Sequence, residues 1–197
     1  KVERLTLENI DISKQDWDSY EYSFDFKKHP LLNDNIFDEH ISKSVRNLIE
    51  FSKQQFIKLK YNEEQLNQIF IELYGFQNEL TNVVDEKDVT ISIFDEEVSV
   101  KTFISYAVGC MFGRYSLDVE GIVYAGGQFD PEKYKTYNVD KDNIIPIIAG
   151  SYFEDDIVSQ FIDFVKVNFG EKNLIENMEY IAGILGKKNG ETSDEAL

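Results

Sequence analysis

The amino-acid sequence predicts a mainly α-helical fold with a few short strands, of the α+β type. Apolar residues recur at steps of three and four along residues 34–80, the spacing of one face of a helix. An almost wholly apolar stretch at 98–115 and a periodic stretch at 155–185 predict further helices. Hydrophobic residues are 42% and charged residues 29% of the chain, which is typical of globular rather than disordered proteins.

Residues 1–33 have no clean helical period, and we expect an extended, aromatic-rich segment there. The aromatic residues fall mostly two positions apart, as one face of a strand places them. They are Trp17, Tyr20, Tyr22, Phe24 and Phe26. His29 and Pro30 end the segment, because a residue before proline adopts extended geometry and proline donates no ladder hydrogen bond.

A helical hairpin is predicted for residues 34–80. Asp34 or Asn35 is a candidate cap for its first helix. The residues that recur on one stripe of that helix are Phe37, Ile41, Val45, Leu48, Ser52, Phe56 and Leu59. The pattern breaks at Tyr61 and Asn62, where Asn62 is a candidate cap for a second helix. Because so short a break leaves no room for a long connection, the two helices are expected to fold back on each other.

Residues 89–150 are predicted as a strand, a helix and a further extended region. Val89, Ile91 and Ile93 alternate with polar residues, as a half-buried strand does. The helix at 98–115 is apolar nearly all round, so we expect it at the centre of the core. The stretches "GIVYAGG" and "KDNIIPIIAGSY" are predicted to be extended.

A helix pair over residues 155–186 completes the predicted domain, with Gly186 as the stop signal. No internal repeat or low-complexity linker divides residues 1–186, which favours one domain, and residues 187–197 form a polar tail expected to be mobile or to continue into a larger protein. The chain has no initiator methionine and stops without a closing element. We therefore expect it to be a piece excised from a larger protein.

The formal net charge of −17 bears on possible partners. Lysines and arginines are scattered, and nucleic-acid affinity rests on such groups displacing counterions from phosphates, so the charge argues against a broad DNA-binding surface. No apolar run approaches the roughly 18–20 residues that span a bilayer, so no membrane partner is expected. The single cysteine, Cys110, cannot form a disulfide framework, which favours a cytoplasmic protein.

The stretch "VGCMFGRYSLDVEGIVYAGG", residues 108–127, holds five glycines. It matches neither the G-x-G-x-x-G pattern of dinucleotide loops nor the G-x-x-x-x-G-K-[ST] pattern of P-loops. Gly109 and Gly113 are four residues apart in a helical pattern and so lie on one helix face. We interpret them as positions of close packing rather than of ligand binding.

Catalytic and metal-binding patterns are not found. His29 and His40 are eleven residues apart and far from Cys110, whereas zinc sites need three or four nitrogen and sulfur ligands. Acidic runs at 95–97 and 154–156 are expected to be solvated, and the second lies where a helix begins and its dipole favours negative charge. The sequence therefore predicts no catalytic residue, no cofactor-binding residue and no metal ligand in this chain.

One candidate contact with nucleic acid remains. Arg114 beside Tyr115 is a common pairing at nucleic-acid interfaces, and Lys133 and Lys135 add a short basic segment. The alternative is that Arg114 neutralises exposed carbonyl groups at the end of a helix. Both interpretations stay open at the level of sequence.

Several long phrases resemble consecutive segments of PglX-type adenine-specific DNA methyltransferases, which belong to BREX phage-defence systems and are similar to single-chain restriction–modification enzymes. The resemblance covers nearly the whole chain, in order. The phrases are "SKQDWDSYEYSFDFKKHPLL", "LNQIFIELYGFQNELT", "FISYAVGCMFGRYSLDVEGIVYAGG" with "FDPEKYKTYNVDKDNIIPI", and "YFEDDIVSQFIDFVKVNFGEKNLIENMEYIAGILG".

This resemblance implies a parent enzyme that transfers a methyl group from S-adenosylmethionine to N6 of adenine. Such families carry an N-P-P-[YF] motif and a glycine-rich cofactor loop. The prolines of this chain, Pro30, Pro131 and Pro146, are isolated from one another, so that motif is absent. The chain is thus expected to come from downstream of the catalytic domain. The "LYGF" phrase, residues 73–76, resembles a helix end found near target-recognition regions.

Three functional hypotheses follow. The first is a non-catalytic spacer or specificity-associated domain that supports target recognition, with the rest of the parent and, through it, double-stranded DNA as partners. The second is direct sequence readout by Arg114, Tyr115 and the segment from Lys133 to Lys135. The third is a protein-docking module for other components of the defence system.

Overall fold

Six α-helices are found in residues 1–148 and 150–197, which are the residues that the computed structural model describes. They are α1 (Val2–Trp17), α2 (Ile41–Tyr74), α3 (Glu96–Met111), α4 (Ile157–Phe169), α5 (Leu174–Ile184) and α6 (Ser193–Ala196). Three short 3-10 turns lie at Pro30–Leu32, Glu86–Asp88 and Pro131–Lys133. The predicted mainly α class is confirmed, whereas the few short strands are wrong, because these ranges contain no strand.

The N-terminal segment is helical, so the predicted extended segment at 1–33 is wrong. Leu5 and Ile12, two turns apart, are buried where α1 packs antiparallel along α2. The aromatic residues beyond Trp17 lie in successive tight turns, and the rings of Tyr20 and Tyr22 stack with centroids 5.2 Å apart. Their alternation therefore reflects stacking of rings across turns, which imitates the period of a strand.

Helix α2 is continuous over 34 residues, so the predicted hairpin is wrong. Asn62, the expected cap of a second helix, is fully buried within α2, and its Nδ2 donates to Glu8 Oε2 at 3.0 Å. A partner on α1 thus accepts a hydrogen bond from the amide of the side chain that the local pattern assigned to a helix start. The helix is about 51 Å long at ~1.5 Å per residue, and Gly75 ends it with a left-handed φ of 76°.

The start of α2 also differs from the prediction. The helix begins at Ile41, so Asp34 and Asn35 lie before it and do not cap it. The Ile41 N–H instead donates to Oδ1 of Asn177 on α5, at 2.8 Å. A side chain from a distant helix therefore performs the capping function, which no local pattern shows.

Helix α3 occupies the centre of the main core. Its fully buried side chains include Phe103 and Tyr106, and the helix as a whole packs against α2, α4 and α5. The helix begins at Glu96, directly after its N-cap residue Asp95. The Asp95 carboxylate accepts a hydrogen bond from the Val98 N–H at 2.7 Å. It ends at Met111 rather than 115, since Gly113 has a left-handed φ of 75°.

The stretches predicted as strands adopt irregular conformations. Val89 and Ile91 are buried, but they pack beside Ile12 and Leu59 as a second apolar cluster rather than in a sheet. The "GIVYAGG" stretch is tied to neighbouring turns by single backbone bonds, including Val123 N–H to the Arg114 carbonyl at 2.9 Å. The "KDNIIPIIAGSY" stretch forms no strand in its described residues, and residue 149 lies outside them.

Helices α4 and α5 lie within the range predicted for a helix pair and pack against α3. Within the predicted polar tail at 187–197, Ser193–Ala196 form α6, which packs against α5. Thr192 and Glu195 form a reciprocal capping box at its start. Lys187 holds the tail to α5 through an ion pair with Glu179 at 2.7 Å.

Candidate functional site

The two histidines have structural positions. His29 is buried beneath Phe103; its Nδ1 accepts from the Leu31 N–H at 3.3 Å and its Nε2 lies 2.9 Å from the Thr102 hydroxyl. Burial lowers the pKa of His29 to about 3, so the ring is neutral at physiological pH. No group of three or more histidine, cysteine or acidic side chains placed to hold a metal occurs in the described part of the chain.

The acidic runs supply helix caps. Asp95 caps α3, and the fully buried Asp156 caps α4 by accepting from the Ser159 N–H at 2.7 Å. The same carboxylate accepts from the N–H groups of Tyr152 and Phe153. Desolvation alone would raise the pKa of Asp156, but these donors outweigh it and lower the pKa to about 2.

The glycine-rich stretch is a packing element at its helical end. A methyl group on Gly109 would lie 2.5 Å from Cδ2 of Tyr115. The Tyr115 ring is only 1% exposed and stacks on Tyr106 with centroids 5.2 Å apart. Gly109 therefore makes room for an aromatic ring, whereas Gly113 follows the helix and supplies its left-handed turn.

The structure brings the predicted contact residues of the chain into one region. The Tyr134 hydroxyl donates to the Gly113 carbonyl at 2.6 Å, and the Ser116 hydroxyl donates to the Lys133 carbonyl at 2.6 Å. These bonds hold the segment from Lys133 to Lys135 beside the turn that carries Arg114. The spatial grouping that the sequence hypothesis needs is therefore present.

The chemical character of that region is mixed. Arg114 is exposed, and its guanidinium lies 5.6 Å from the centroid of the Tyr115 ring. Tyr115 itself is covered by Tyr106, so a base could stack on its ring only if the core opened. Lys135 pairs with Glu132 at 3.3 Å, and its backbone N–H donates to Asp118. DNA contacts by Arg114, Lys133 and Lys135 stay a prediction.

The "LYGF" phrase lies at the far end of α2. Its neighbourhood, residues 70–80, is here named the distal tip. Most of its apolar side chains are exposed, with Leu73 at 69% and Tyr74 at 67%. The rings of Phe70, Tyr74 and Phe76 lie side by side, each pair of neighbours 6.4 Å apart. An exposed cluster of this kind is typical of a surface that contacts another part of a protein.

Sequence reasoning missed a second surface feature. Four aromatic rings, here named the aromatic ladder, follow one another between the end of α1 and the start of α3. They are Trp17, Tyr22, Tyr20 and Phe94, at successive centroid distances of 4.7, 5.2 and 5.3 Å. A groove of about 470 Å³ adjoins the buried end of the ladder. The spacing of the tyrosines was visible in the sequence, but nothing local connects them with Phe94.

None of the described helices is both long and apolar enough to cross a membrane. The chain matches no protein-family model.

Comparison with individual proteins defines the class to which the chain is similar: along its full length, it aligns with a segment of adenine-specific methyltransferases. The relatives are the adenine-specific methyltransferase PglX of Lacticaseibacillus casei (strain Zhang), 41% identical over 203 residues, and the adenine-specific methyltransferase BrxX of Escherichia coli O9:H4 (strain HS), 32% identical over 223 residues. All of this chain is covered in both alignments, but it spans only 17% and 18% of the relatives' lengths. The resemblance to PglX-type proteins is thus confirmed.

Proposed function

We propose that this chain is a non-catalytic supporting domain of a larger S-adenosylmethionine-dependent, adenine-specific DNA methyltransferase of a phage-defence or restriction–modification system. The full-length similarity to segments of PglX and BrxX supports the assignment to such a parent. The absence of an N-P-P-[YF] motif and of a cofactor loop from the sequence supports a role outside the catalytic centre. Its partners are the rest of the parent and, through it, double-stranded DNA.

The observation that carries this proposal is the shape and surface of α2. Ile41, Val45 and Leu48, near one end of α2, lie in the main core with α3, α4 and α5. The other end carries the exposed apolar side chains of the distal tip, and the 25 residue steps from Leu48 to Leu73 correspond to about 38 Å at ~1.5 Å per residue. A continuous helix anchored in this way holds two surfaces of the parent at a fixed separation, as a brace between a catalytic and a DNA-reading part requires.

The charge of the chain favours support over extensive DNA binding. A net charge of −17 repels phosphates, so the main duplex contacts of the parent are assigned to its other parts. Arg114, Lys133 and Lys135 are exposed and adjacent, and they supply at most a local contact beside Glu132 and Asp118.

The experiment is a comparison of two substitutions of Glu63, a part-buried residue inside α2, in the longer protein. Glu63→Pro interrupts the helix, since proline removes a backbone donor and clashes with the preceding turn. We expect loss of DNA methylation with retained S-adenosylmethionine binding. Glu63→Ala, which removes the same carboxylate and leaves the helix continuous, is the matched control and keeps wild-type methylation. Wild-type methylation by the proline variant would contradict the bracing role, as would methylation of DNA by the isolated chain.

A protein-docking module for other components of the defence system is the second candidate function. The exposed apolar side chains of the distal tip favour it, because contiguous exposed apolar groups mark interaction surfaces. Pull-down of the neighbouring system proteins by the longer protein, with and without Leu73→Glu, tests it. Equal capture by both proteins excludes the distal tip as the docking surface.

A further inference from the structure

The aromatic ladder is exposed at one end and buried at the other. Trp17 is 57% and Tyr22 is 61% exposed, while Phe94 is only 5% exposed. Tyr20 stacks nearly parallel to both of its neighbours in the ladder, at interplanar angles of 8° and 7°. The ladder therefore offers solvent a preformed pair of aromatic surfaces whose positions are fixed by the core.

The groove beside the ladder combines an apolar floor with an acidic rim. Its apolar residues are Ile12, Pro30, Ile36, Leu48, Phe51, Ile91 and Phe94. Its carboxylates are Asp16, Asp18, Asp25 and Glu120, against the two lysines Lys27 and Lys28. The charged groups of the groove thus have a net negative charge, and its volume of about 470 Å³ suits a few side chains rather than a folded element.

Asp16 lies where the groove meets the ladder. Two rim carboxylates already have cationic partners, since Asp25 pairs with Lys14 at 3.3 Å and Glu120 with Lys27 at 3.1 Å. Asp16 forms no ion pair with any residue that the structure describes, although it is part-buried. Desolvation raises its pKa against the effect of the Ser92 N–H, so its ionised form lacks a compensating cation.

The charge of Asp16 acts on both tyrosines of the ladder. Burial and then the Asp16 charge raise the pKa of Tyr20 to about 12, and the same two causes raise the pKa of Tyr22. A carboxylate beside aromatic rings is the combination that recognises a guanidinium group, which stacks on a ring face and donates paired hydrogen bonds to a carboxylate.

We propose that the aromatic ladder and the adjoining groove bind an arginine-bearing, otherwise apolar segment from the rest of the longer protein, with the guanidinium between Tyr22 and Asp16. This inference rests on the proposed function, because it takes its occupant from the parent. The chain spans 17% and 18% of its relatives, so most of such a parent lies outside this structure. A parent that binds DNA needs basic segments outside this acidic chain to contact phosphates, and such segments would complement a domain of charge −17.

The ladder contains the only tryptophan of the chain, Trp17, which makes binding directly measurable by fluorescence. The probe is the peptide acetyl-Leu-Arg-Leu-amide, titrated into the 197-residue chain at low salt. We expect a saturable change in Trp17 emission. The same peptide with citrulline in place of arginine keeps the shape and loses the charge, so we expect binding about tenfold weaker, as for loss of a charge-assisted hydrogen bond.

Two substitutions that each remove one negative charge distinguish a specific contact at the site from the general electrostatic field of the chain. Asp16→Asn is expected to weaken peptide binding by about tenfold, whereas Asp11→Asn removes the same charge from an exposed position on α1 and leaves binding unchanged. Tyr22→Ala, at a ring that is 61% exposed, is also expected to weaken binding, and an unchanged thermal transition is expected to show that the chain stays folded. Equal effects of the two asparagine variants would overturn the proposal, as would a stronger Trp17 response to a single-stranded oligonucleotide than to the peptide.

Hydrogen–deuterium exchange in the longer protein tests the source of the occupant. Peptides covering residues 14–26 are expected to exchange more slowly there than in the isolated chain, and Asp16→Asn is expected to remove that protection. Equal exchange in the two wild-type proteins would overturn docking of a parental segment. These experiments measure peptide binding and amide exchange, whereas the bracing role is tested by DNA methylation with the α2 variants. A negative result for one proposal can therefore be distinguished from a negative result for the other.

Discussion

The packing of Gly109 against Tyr115 permits a quantitative prediction for Gly109→Ala. The added methyl carbon would lie 2.5 and 2.8 Å from two ring carbons of Tyr115, closer than carbon atoms approach one another. The ring cannot move freely, because Tyr106 stacks on it and Phe26 meets it edge-on at 5.3 Å. Either the ring or α3 must therefore shift within a closed core.

Two effects of opposite sign determine how much Gly109→Ala changes the free energy of unfolding. Overpacking of a closed core costs about 1–3 kcal/mol, whereas replacing glycine by alanine inside a helix gains up to ~1 kcal/mol. We expect a net loss of about 1–2 kcal/mol in the free energy of unfolding, which lowers Tm by roughly 2–8 °C for a chain of this size. Urea and thermal unfolding followed by circular dichroism at the helix band measure both quantities.

Gly183→Ala is the matched control. Gly183 is also helical, in α5, but nothing lies within 4 Å of an added methyl group there. We expect this variant to be as stable as the wild type or more stable, by up to ~1 kcal/mol. A Gly109→Ala protein that matches Gly183→Ala in stability would refute the steric argument. In a Tyr115→Ala background, the Gly109→Ala penalty should disappear, because the contact is gone.

Three further predictions concern the continuity of α2 and the protonation of Asp156 and His29. Glu63→Pro should lower the unfolding free energy of the isolated chain by ~3 kcal/mol or more, because the site is inside one helix; unchanged stability in urea would instead favour a helix starting at Asn62. Asp156→Ala should cost about 2 kcal/mol at pH 7, the upper end of cap losses. Because the folded pKa of Asp156 is lowered from 3.8 to about 2, this difference should shrink as the pH falls from 4 toward 2, and a pH-independent difference would contradict the cap. Burial lowers the pKa of His29 from 6.5 to about 3, so its neutral ring contributes fully to the free energy of unfolding above pH 6.5. Below pH 6.5 that free energy falls by up to ~1.4 kcal/mol per pH unit. The urea midpoint of His29→Gln should depend less on pH than that of the wild type, and an equal dependence would be inconsistent with a buried neutral ring.

The helices that could be predicted are those whose apolar period coincides with burial. Phe161, Phe164 and Val165 on α4 are all buried, as their spacing indicates. The same holds for the centre of α3, where Phe103 and Tyr106 lie in the core. In these segments, local pattern and tertiary environment agree, so the sequence alone is sufficient.

The errors occur where a distant residue overrides a local signal. Asn62 is a good cap in isolation, but Glu8 supplies its hydrogen bond inside a continuous helix. Asn177 replaces the expected local cap of α2 in the same way. The alternating aromatic residues imitate a strand, but they lie in tight turns where Tyr20 stacks on the distant Phe94 as well as on Tyr22. Contacts across such sequence separations leave no periodic trace.

The candidate sites also have one part that the sequence predicts and another that depends on the fold. Arg114 and the segment from Lys133 to Lys135 were grouped from sequence, and hydrogen bonds through Ser116 and Tyr134 hold them together. The burial of Tyr115 was not predictable, since an aromatic residue after a helix can face either way. The stacking of Tyr20 on Phe94 joins two segments that are far apart in the sequence, so the complete ladder is visible only in the fold.

The continuity of α2 also restricts how the length of this chain can vary between related proteins. Each residue inserted in a helix turns everything beyond it by about 100° and advances it by ~1.5 Å. One insertion between Leu48 and Leu59 would rotate the distal tip away from the direction that the main core sets. The irregular stretches at 112–130 and 134–148 join elements without such an angular relation. Insertions and deletions among relatives should therefore accumulate in those stretches, whereas the number of residues in α2 should stay constant.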